Sequence, residues 1–116
     1  MNMIQELKSL GVDTEKGLER MGGNLSLYER MMIQMKDMLK ESPEQKDFDR
    51  SDYSDVVETA HAIKGASGNL AVTPIYESYS EIVRLLRAKQ PEEAKKHLEK
   101  VLPVQTAIIE CIEKYA

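Results

Sequence analysis

The chain has 116 residues, 41% hydrophobic and 31% charged, which fits one globular domain, residues 1–116, and excludes a disordered chain. Its net charge of −4 argues against a general electrostatic grip on nucleic acid. The one cysteine, Cys111, excludes an intrachain disulfide and a cysteine-based metal site, and no stretch resembles a signal peptide or a membrane span, so we expect a cytoplasmic protein.

The first third of the chain carries the signals of three helices. A short helix is predicted from Asn2 to about Leu10, and Asp13 is placed to cap a second short helix over TEKGLERM. Asn24, after two consecutive glycines, is placed to cap a longer third helix. Spacings of four, four and three residues predict its apolar face, which comprises Leu27, Met31, Met35 and Met38.

A polar segment separates the third helix from the fourth. The segment ESPEQKDFDRSD is predicted to be a surface loop, and the acidic run from Glu41 to Asp55 is interpreted as solvated. A helix is predicted from about Asp52 to Ala71.

Two prolines mark the starts of the last two helices. Thr73 and Pro74 form an N-cap and N1 pair, and Gln90-Pro91 ends that helix and opens the last one, in which Pro103 is expected to produce a kink or an end. The predicted core positions are Ile75, Tyr79, Ile82 and Leu86 in the first of these helices and Leu98, Leu102, Ile109 and Ile112 in the second.

No stretch of strand length alternates between apolar and polar residues. Four longer helices joined by short loops predict an all-α fold, an antiparallel four-helix bundle with the short N-terminal helices packed on it.

The fourth helix, which contains VVETAHAIKGASGNLA, has an unusual outer face. At about 100° per residue, its predicted core face comprises Val56, Ala60, Ile63, Ser67 and Leu70. His61 lies roughly 140° from the centre of that face, and we therefore expect its imidazole to point outward.

Two glycines lie on the outer half of this helix. Each costs about 0.5–1 kcal/mol relative to alanine. Gly65 lies opposite the core face, and Gly68 lies one turn further along. We therefore expect a strip without side chains beside His61, which lets another protein dock closely.

Lys64 follows His61 by three residues, and helical side chains lean toward the N-terminus. Its ammonium is predicted to reach back over the imidazole, where it can donate to a phosphoryl group. The neutral imidazole is a nucleophile that can accept such a group. Val57, one turn before His61, adds an apolar contact point for a partner.

These residues resemble a known signature. The run HAIKGASGNL, from His61 to Leu70, is similar to the signature of histidine-containing phosphotransfer (Hpt) domains. The segment GVDTEKGLERMGGNLSLYERMM is similar to the one with which many such domains enter their bundle. Together the two segments place most of the chain within one domain of this kind.

The resemblance implies a histidine phosphocarrier of a two-component multistep phosphorelay, without kinase activity of its own. His61 would accept phosphate from the receiver domain of a response regulator, or from a hybrid sensor histidine kinase, and pass it to another receiver's aspartate. Lys64 would stabilise the phosphorylated form. The transfer metal, Mg²⁺, is expected on the receiver, and this chain is expected to need no cofactor and no membrane.

Two positions depart from the family pattern. Many members carry a glycine ten residues after the histidine, where this chain has Ala71, and many carry a polar residue on the facing helix, where the usual offset leads to Val83. Ser80, Arg84 and Arg87 are the candidates to replace that polar residue. The two arginines are also candidates to face the phosphoryl group or an acidic partner, with a solvated face as an equal alternative.

The alternative function is a non-catalytic helical adaptor that binds a kinase or a receiver without being phosphorylated, and Val83 leaves room for it. His97, in the charged segment EEAKKHLEK, is interpreted as a solvated surface residue. The methionine stripe and Cys111 are interpreted as core. A native-looking Met1 before a predicted helix favours a free-standing protein over a domain of a larger kinase.

Overall fold

The computed structural model describes residues 1–116 and contains six α-helices, one short 3₁₀ helix and no strand, which confirms the predicted all-α class. In chain order the elements are α1 (Met3–Ser9), α2 (Thr14–Arg20), α3 (Leu25–Lys40), the 3₁₀ helix (Gln45–Asp49), α4 (Ser54–Asn69), α5 (Thr73–Arg87) and α6 (Pro91–Tyr115).

The first three helices begin at side chains that accept a backbone hydrogen bond. Asn2, Asp13 and Asn24 each accept from the N–H three residues further on, which satisfies one of the donors that a helix leaves free at its start. The predicted caps at Asp13 and Asn24 are confirmed. Asn2, predicted as the first helical residue, is instead the cap of α1.

The predicted start of α5 is wrong by one residue. Val72 occupies the N-cap position and Thr73 is already helical, so Pro74 is the second residue of the helix. The Thr73 hydroxyl donates to the Ala71 carbonyl instead of capping the helix. The shift is tolerated because no N–H of the first helical turn has an intrahelical partner, so proline fits at either place. The predicted start of α6 at Pro91 is confirmed.

The four long helices α3, α4, α5 and α6 form the bundle. Helix α4 packs against α3 and α5, and α6 packs against α3 and α5, so the four close around one core. Residues 70–72 and 88–90 join consecutive helices and reverse the chain direction. Helix α1 packs on α6 and helix α2 packs on α3. No helix combines the length and apolar character that crossing a bilayer requires.

The predicted core face of α5 is confirmed, whereas that of α3 is displaced around the helix. All four predicted α5 positions are buried. In α3 only Met35 of the predicted set is fully buried. Met31 and Met38 lie at the edge of the core, and Leu27 is half-buried. Tyr28, which the prediction omitted, is fully buried. The buried α3 residues are Tyr28, Met32, Met35 and Leu39.

The predicted core of α6 is half right. Leu98 and Ile112 are buried, but Leu102 is 37% exposed and Ile109 only partly buried. A regular spacing of three and four residues selects the buried set Leu98, Val101, Gln105, Ile108 and Ile112, which leaves Leu102 outside. Pro103 is exposed and lies inside the helix without ending it.

The segment between α3 and α4 lies at the surface, as predicted, and its carboxylates are mostly exposed, but it is not irregular throughout. It contains the 3₁₀ helix, which packs against α6. Phe48 is 1% exposed and Pro43 is also buried, so apolar residues at two points fix the segment to the core. The ion pair of Lys95 with Asp49 adds a polar contact at its edge.

Candidate functional site

Helix α4 presents one face to the core and the opposite face to solvent. The predicted core face is confirmed by the burial of Val56, Ala60, Ile63, Ser67 and, just after the helix, Leu70. His61 and Gly65 are exposed, as the rotation of about 100° per residue requires. The imidazole of His61 is therefore accessible to another protein.

His61 lies on the rim of an open depression formed by α2, α4 and the start of α5. Lys64, Gly65 and Gly68 line it from α4, so the structure brings these four predicted site residues together. Lys64 is half-buried and forms no ion pair with any carboxylate of the chain. Its ammonium is free to bind an anion that arrives at His61.

The two glycines of α4 serve different purposes. A Cβ atom at Gly65 would meet nothing within 4 Å, so the surface beside His61 is open there. A Cβ atom at Gly68 would lie 2.8 Å from the ring of Tyr76 on α5. The predicted bare strip therefore ends before Gly68, because the missing side chain makes space for an aromatic ring that is 40% exposed.

The family model for the Hpt domain matches residues 7–115. The chain belongs to the Hpt domain family. This membership gives it a role in phosphorelay histidine phosphotransfer in general, as a phosphocarrier rather than a kinase, with partners among the proteins of such relays. No curated protein and no solved structure matches the chain.

The contact of Gly68 with Tyr76 sets the register between α4 and α5 of this Hpt domain. Because the two helices run antiparallel, Ser80 lies at the level of Lys64, and Val83 lies at the level of His61. Val83 is 2% exposed, so the polar residue that many Hpt domains have here is replaced by a core contact.

The three candidates to replace that polar residue have different surroundings. The Ser80 hydroxyl is buried and has no hydrogen-bond partner within the chain. The Arg84 guanidinium donates to the Glu81 carboxylate over 2.6 Å, and this hydrogen bond lowers the pKa of Glu81. Arg87 is exposed and lines a second depression together with Val57. Arg84 thus forms an ion pair with Glu81, while the side chains of Ser80 and Arg87 have no hydrogen-bond partner within the chain.

The backbone conformation of Ala71 explains why many Hpt domains have glycine at this position. Its φ of 58° lies in the left-handed region, which costs a residue with a Cβ atom about 1 kcal/mol or more. The strained backbone serves to end α4, since the N–H of Ala71 donates to Gly68 and its carbonyl accepts from Asp13. The replacement of glycine by alanine leaves this turn intact but strained.

Sequence reasoning missed the contribution of α2 to the site. Lys16 and Arg20 line the same depression as His61, and the Arg20 guanidinium donates to the Gly68 carbonyl. Their four-residue spacing places them on one side of α2, but nothing local to the sequence indicates which part of the bundle that side approaches.

The remaining histidine and the cysteine lie elsewhere. His97 is half-buried among charged side chains of α6, apart from the His61 depression. Cys111 is 3% exposed, which confirms it as a core residue. Burial, with the charge of Glu6 added, raises the pKa of its thiol to about 11, so the group is protonated and unreactive at neutral pH.

Proposed function

We propose that His61 is the phosphoryl acceptor of this Hpt domain and shuttles phosphate between receiver-domain aspartates, or from a hybrid histidine kinase to a receiver. One observation carries the proposal. An exposed imidazole shares a depression with the unpaired ammonium of Lys64 and the open surface of Gly65, within the family whose role is histidine phosphotransfer.

The transfer requires little of this chain beyond position and charge. The unprotonated ring nitrogen of His61 attacks the phosphorus of the phosphoaspartate, the bond from phosphorus to the aspartate oxygen breaks, and the carboxylate leaves with the electron pair. Lys64 donates to the phosphoryl oxygens during transfer and afterwards. The Mg²⁺ ion belongs to the receiver, where carboxylates hold it, and this chain supplies no cofactor.

The receiver docks over the exposed faces of α4 and α5. Gly65 allows its backbone to approach the imidazole, and Val57 provides an apolar contact on the other side of His61. Gly68 contributes indirectly, because it seats the exposed ring of Tyr76 at the border of this surface. Arg87 borders it beside Val57. A moderate, partly apolar interface suits a partner that must be released after each transfer.

The test is transfer of radiolabelled phosphate from a phosphorylated receiver or hybrid kinase to the purified chain. The proposal predicts label that is labile to acid and stable to alkali, lost in His61→Gln and retained in His97→Gln, a matched control on α6. Label that persists in His61→Gln would remove this residue from its role.

The adaptor remains the second candidate, and Val83 is the observation that favours it. A buried valine cannot hydrogen-bond the imidazole. The adaptor predicts that a receiver or a kinase binds the wild-type chain and His61→Gln equally well, while neither protein acquires label from any cognate partner.

A further inference from the structure

Helix α2 is held against the end of α4 by hydrogen bonds at both of its own ends. At its C-terminal end, the Arg20 guanidinium donates to the Gly68 carbonyl. Just before its N-terminal end, the Asp13 N–H donates to the Ala71 carbonyl over 2.9 Å. Gly17, between these points, is fully packed. The position of α2 beside the His61 depression is therefore fixed before any partner arrives.

Gly17 shows how closely α2 approaches. A Cβ atom there would lie 2.5 Å from both the Leu70 carbonyl oxygen and the Tyr28 hydroxyl. Those two atoms are themselves joined by a hydrogen bond of 2.9 Å. Only glycine permits this approach, and it places the neighbouring Lys16 and Arg20 on the wall of the depression.

The cations around His61 lack ion pairs, although the chain has a net charge of −4 and therefore an excess of carboxylates. Nine of the 16 Lys and Arg side chains form ion pairs within the chain, which leaves seven without one. Three of these seven, Lys16, Arg20 and Lys64, line the His61 depression. Two more, Arg87 and Lys89, line the second depression, which contains Val57.

Two carboxylates also line the His61 depression, and they do not neutralise it. The Asp13 carboxylate accepts from the backbone N–H of Lys16 as the cap of α2. Glu77 is exposed and forms no ion pair. Three cations against two carboxylates leave the depression with an excess of positive charge, and none of the three cations forms an ion pair within the chain.

We infer that α2 is a partner-docking element, in which Lys16 and Arg20 bind an acidic protein surface on the molecule that exchanges phosphate with His61. This inference rests on the proposed function, which supplies the reason for a partner at this place. A partner that holds Mg²⁺ and a phosphoryl group on carboxylates clusters negative charge at its active site. The cations of α2 complement such a surface, and they lie beside the imidazole that must meet it.

Charges at the rim of an interface act mainly on the association rate and its salt dependence. Reversal of both charges in Lys16→Glu with Arg20→Glu should lower the association rate about 10- to 100-fold at low ionic strength. The loss should shrink at high salt, because the Debye length falls from about 10 Å at 0.1 M to about 3 Å at 1 M.

The experiment measures the rate of phosphate transfer to His61 from a receiver domain that labels the wild-type chain, by rapid quench at low and high salt. Arg30→Glu with Lys100→Glu is the matched control, since these are the two unpaired cations that line neither depression. A slow, weakly salt-dependent α2 variant beside a nearly normal control is expected. Equal rates in all three proteins, or an equal loss in the control, would overturn the inference.

Two further measurements separate the causes of failure. Lys16→Glu alone tests the charge without removing the hydrogen bond of Arg20 to Gly68, and it should slow transfer at low salt while circular dichroism stays unchanged. Phosphoramidate, a small donor whose nitrogen–phosphorus bond breaks with release of ammonia, tests acceptance by His61 without any partner. It should label His61 in the wild-type chain and in each of the charge variants. No label on His61 from either donor would defeat the proposed function and this inference with it.

Discussion

At the scale of single residues, the site depends on two side chains that are left free to bind a partner. The imidazole of His61 is exposed, and the ammonium of Lys64 has no carboxylate partner. Most cations of this chain are paired instead. An anion that arrives at His61 therefore meets a cation that need not first leave another partner, and the cost of rearrangement is avoided.

Lys64→Ala should slow phosphate transfer about tenfold, the effect of losing roughly 1.4 kcal/mol of transition-state stabilisation. The fold should survive, because the Lys64 side chain makes no ion pair that holds the bundle together. Rapid-quench transfer rates with circular dichroism check this. Lys100→Ala, an exposed and unpaired lysine on α6, is the control. Equal rates in the wild type and Lys64→Ala would show that the ammonium has no role in transfer.

Some features of the site follow from the sequence because they depend only on the rotation of a helix. The exposure of His61 and the openness of Gly65 are of this kind. The role of Gly68 was not predictable, since it depends on Tyr76 of the neighbouring helix. Lys16 was missed for the same reason, because its place beside His61 depends on how α2 packs.

At the scale of elements, α4 contains two glycines whose replacement by alanine should change the free energy of unfolding differently. Gly65→Ala should raise the free energy of unfolding by up to about 1 kcal/mol, since alanine is the better helix former and the new methyl group meets nothing. Gly68→Ala should lose that gain, because its Cβ atom would lie 2.8 Å from the Tyr76 ring and the ring must move. Urea unfolding of both variants measures the difference.

The same pair tests the docking surface. Gly65→Ala should slow transfer even though it stabilises the fold, because the added methyl group projects from the surface on which we propose that the receiver docks. A stable Gly65→Ala variant with an unchanged transfer rate would show that the partner does not contact this part of α4. A variant less stable than the wild type would show that the glycine is needed for the fold itself.

The caps of α2 and α3 were predicted correctly, whereas the buried face of α3 was not, and the reason is physical. Caps such as Asp13 and Asn24 act within a few residues of their own position, so the sequence alone contains the relevant contacts. The buried face of α3 depends on which side chains the other helices leave room for. Phe48 illustrates the limit, since its polar and mostly exposed segment does not indicate that this one side chain is buried against the bundle.

At the scale of the whole molecule, a buried polar network joins three parts of the bundle. The Tyr79 hydroxyl on α5 donates to the side-chain oxygen Oε1 of Gln105 on α6 over 2.7 Å. The Gln105 amide donates to the Ser42 hydroxyl, just after α3, over 2.9 Å. Each of these three side chains thus has a partner within the network, which is the condition for burying a polar group without a large cost.

Stability should fall at alkaline pH because two buried phenols resist ionisation. Burial raises the pKa of Tyr28 and of Tyr79 from 10.0 to about 12. The unfolded chain releases these protons first, so their contribution is complete below about pH 10 and is lost as the pH rises toward 12. Urea unfolding as a function of pH should show this decline.

Tyr79→Phe isolates the effect of one phenol. It should lower the free energy of unfolding by about 1 kcal/mol at neutral pH, because Gln105 loses its donor. It should also decline less steeply than the wild type above pH 10, since one of the two resisting groups is gone. If the free energy of unfolding declined equally steeply with pH in both proteins, the raised pKa of Tyr79 would not contribute to the alkaline loss of stability.

The bundle holds α4 with its His61 face exposed. The proposal that this imidazole accepts phosphate is tested most directly by locating the site of phosphorylation. After transfer from a phosphorylated receiver, tandem mass spectrometry under alkaline conditions should locate the phosphoryl group on His61, with His97 unmodified in the same molecules. A phosphoryl group on His97 or on any other residue, with His61 unmodified, would contradict the account.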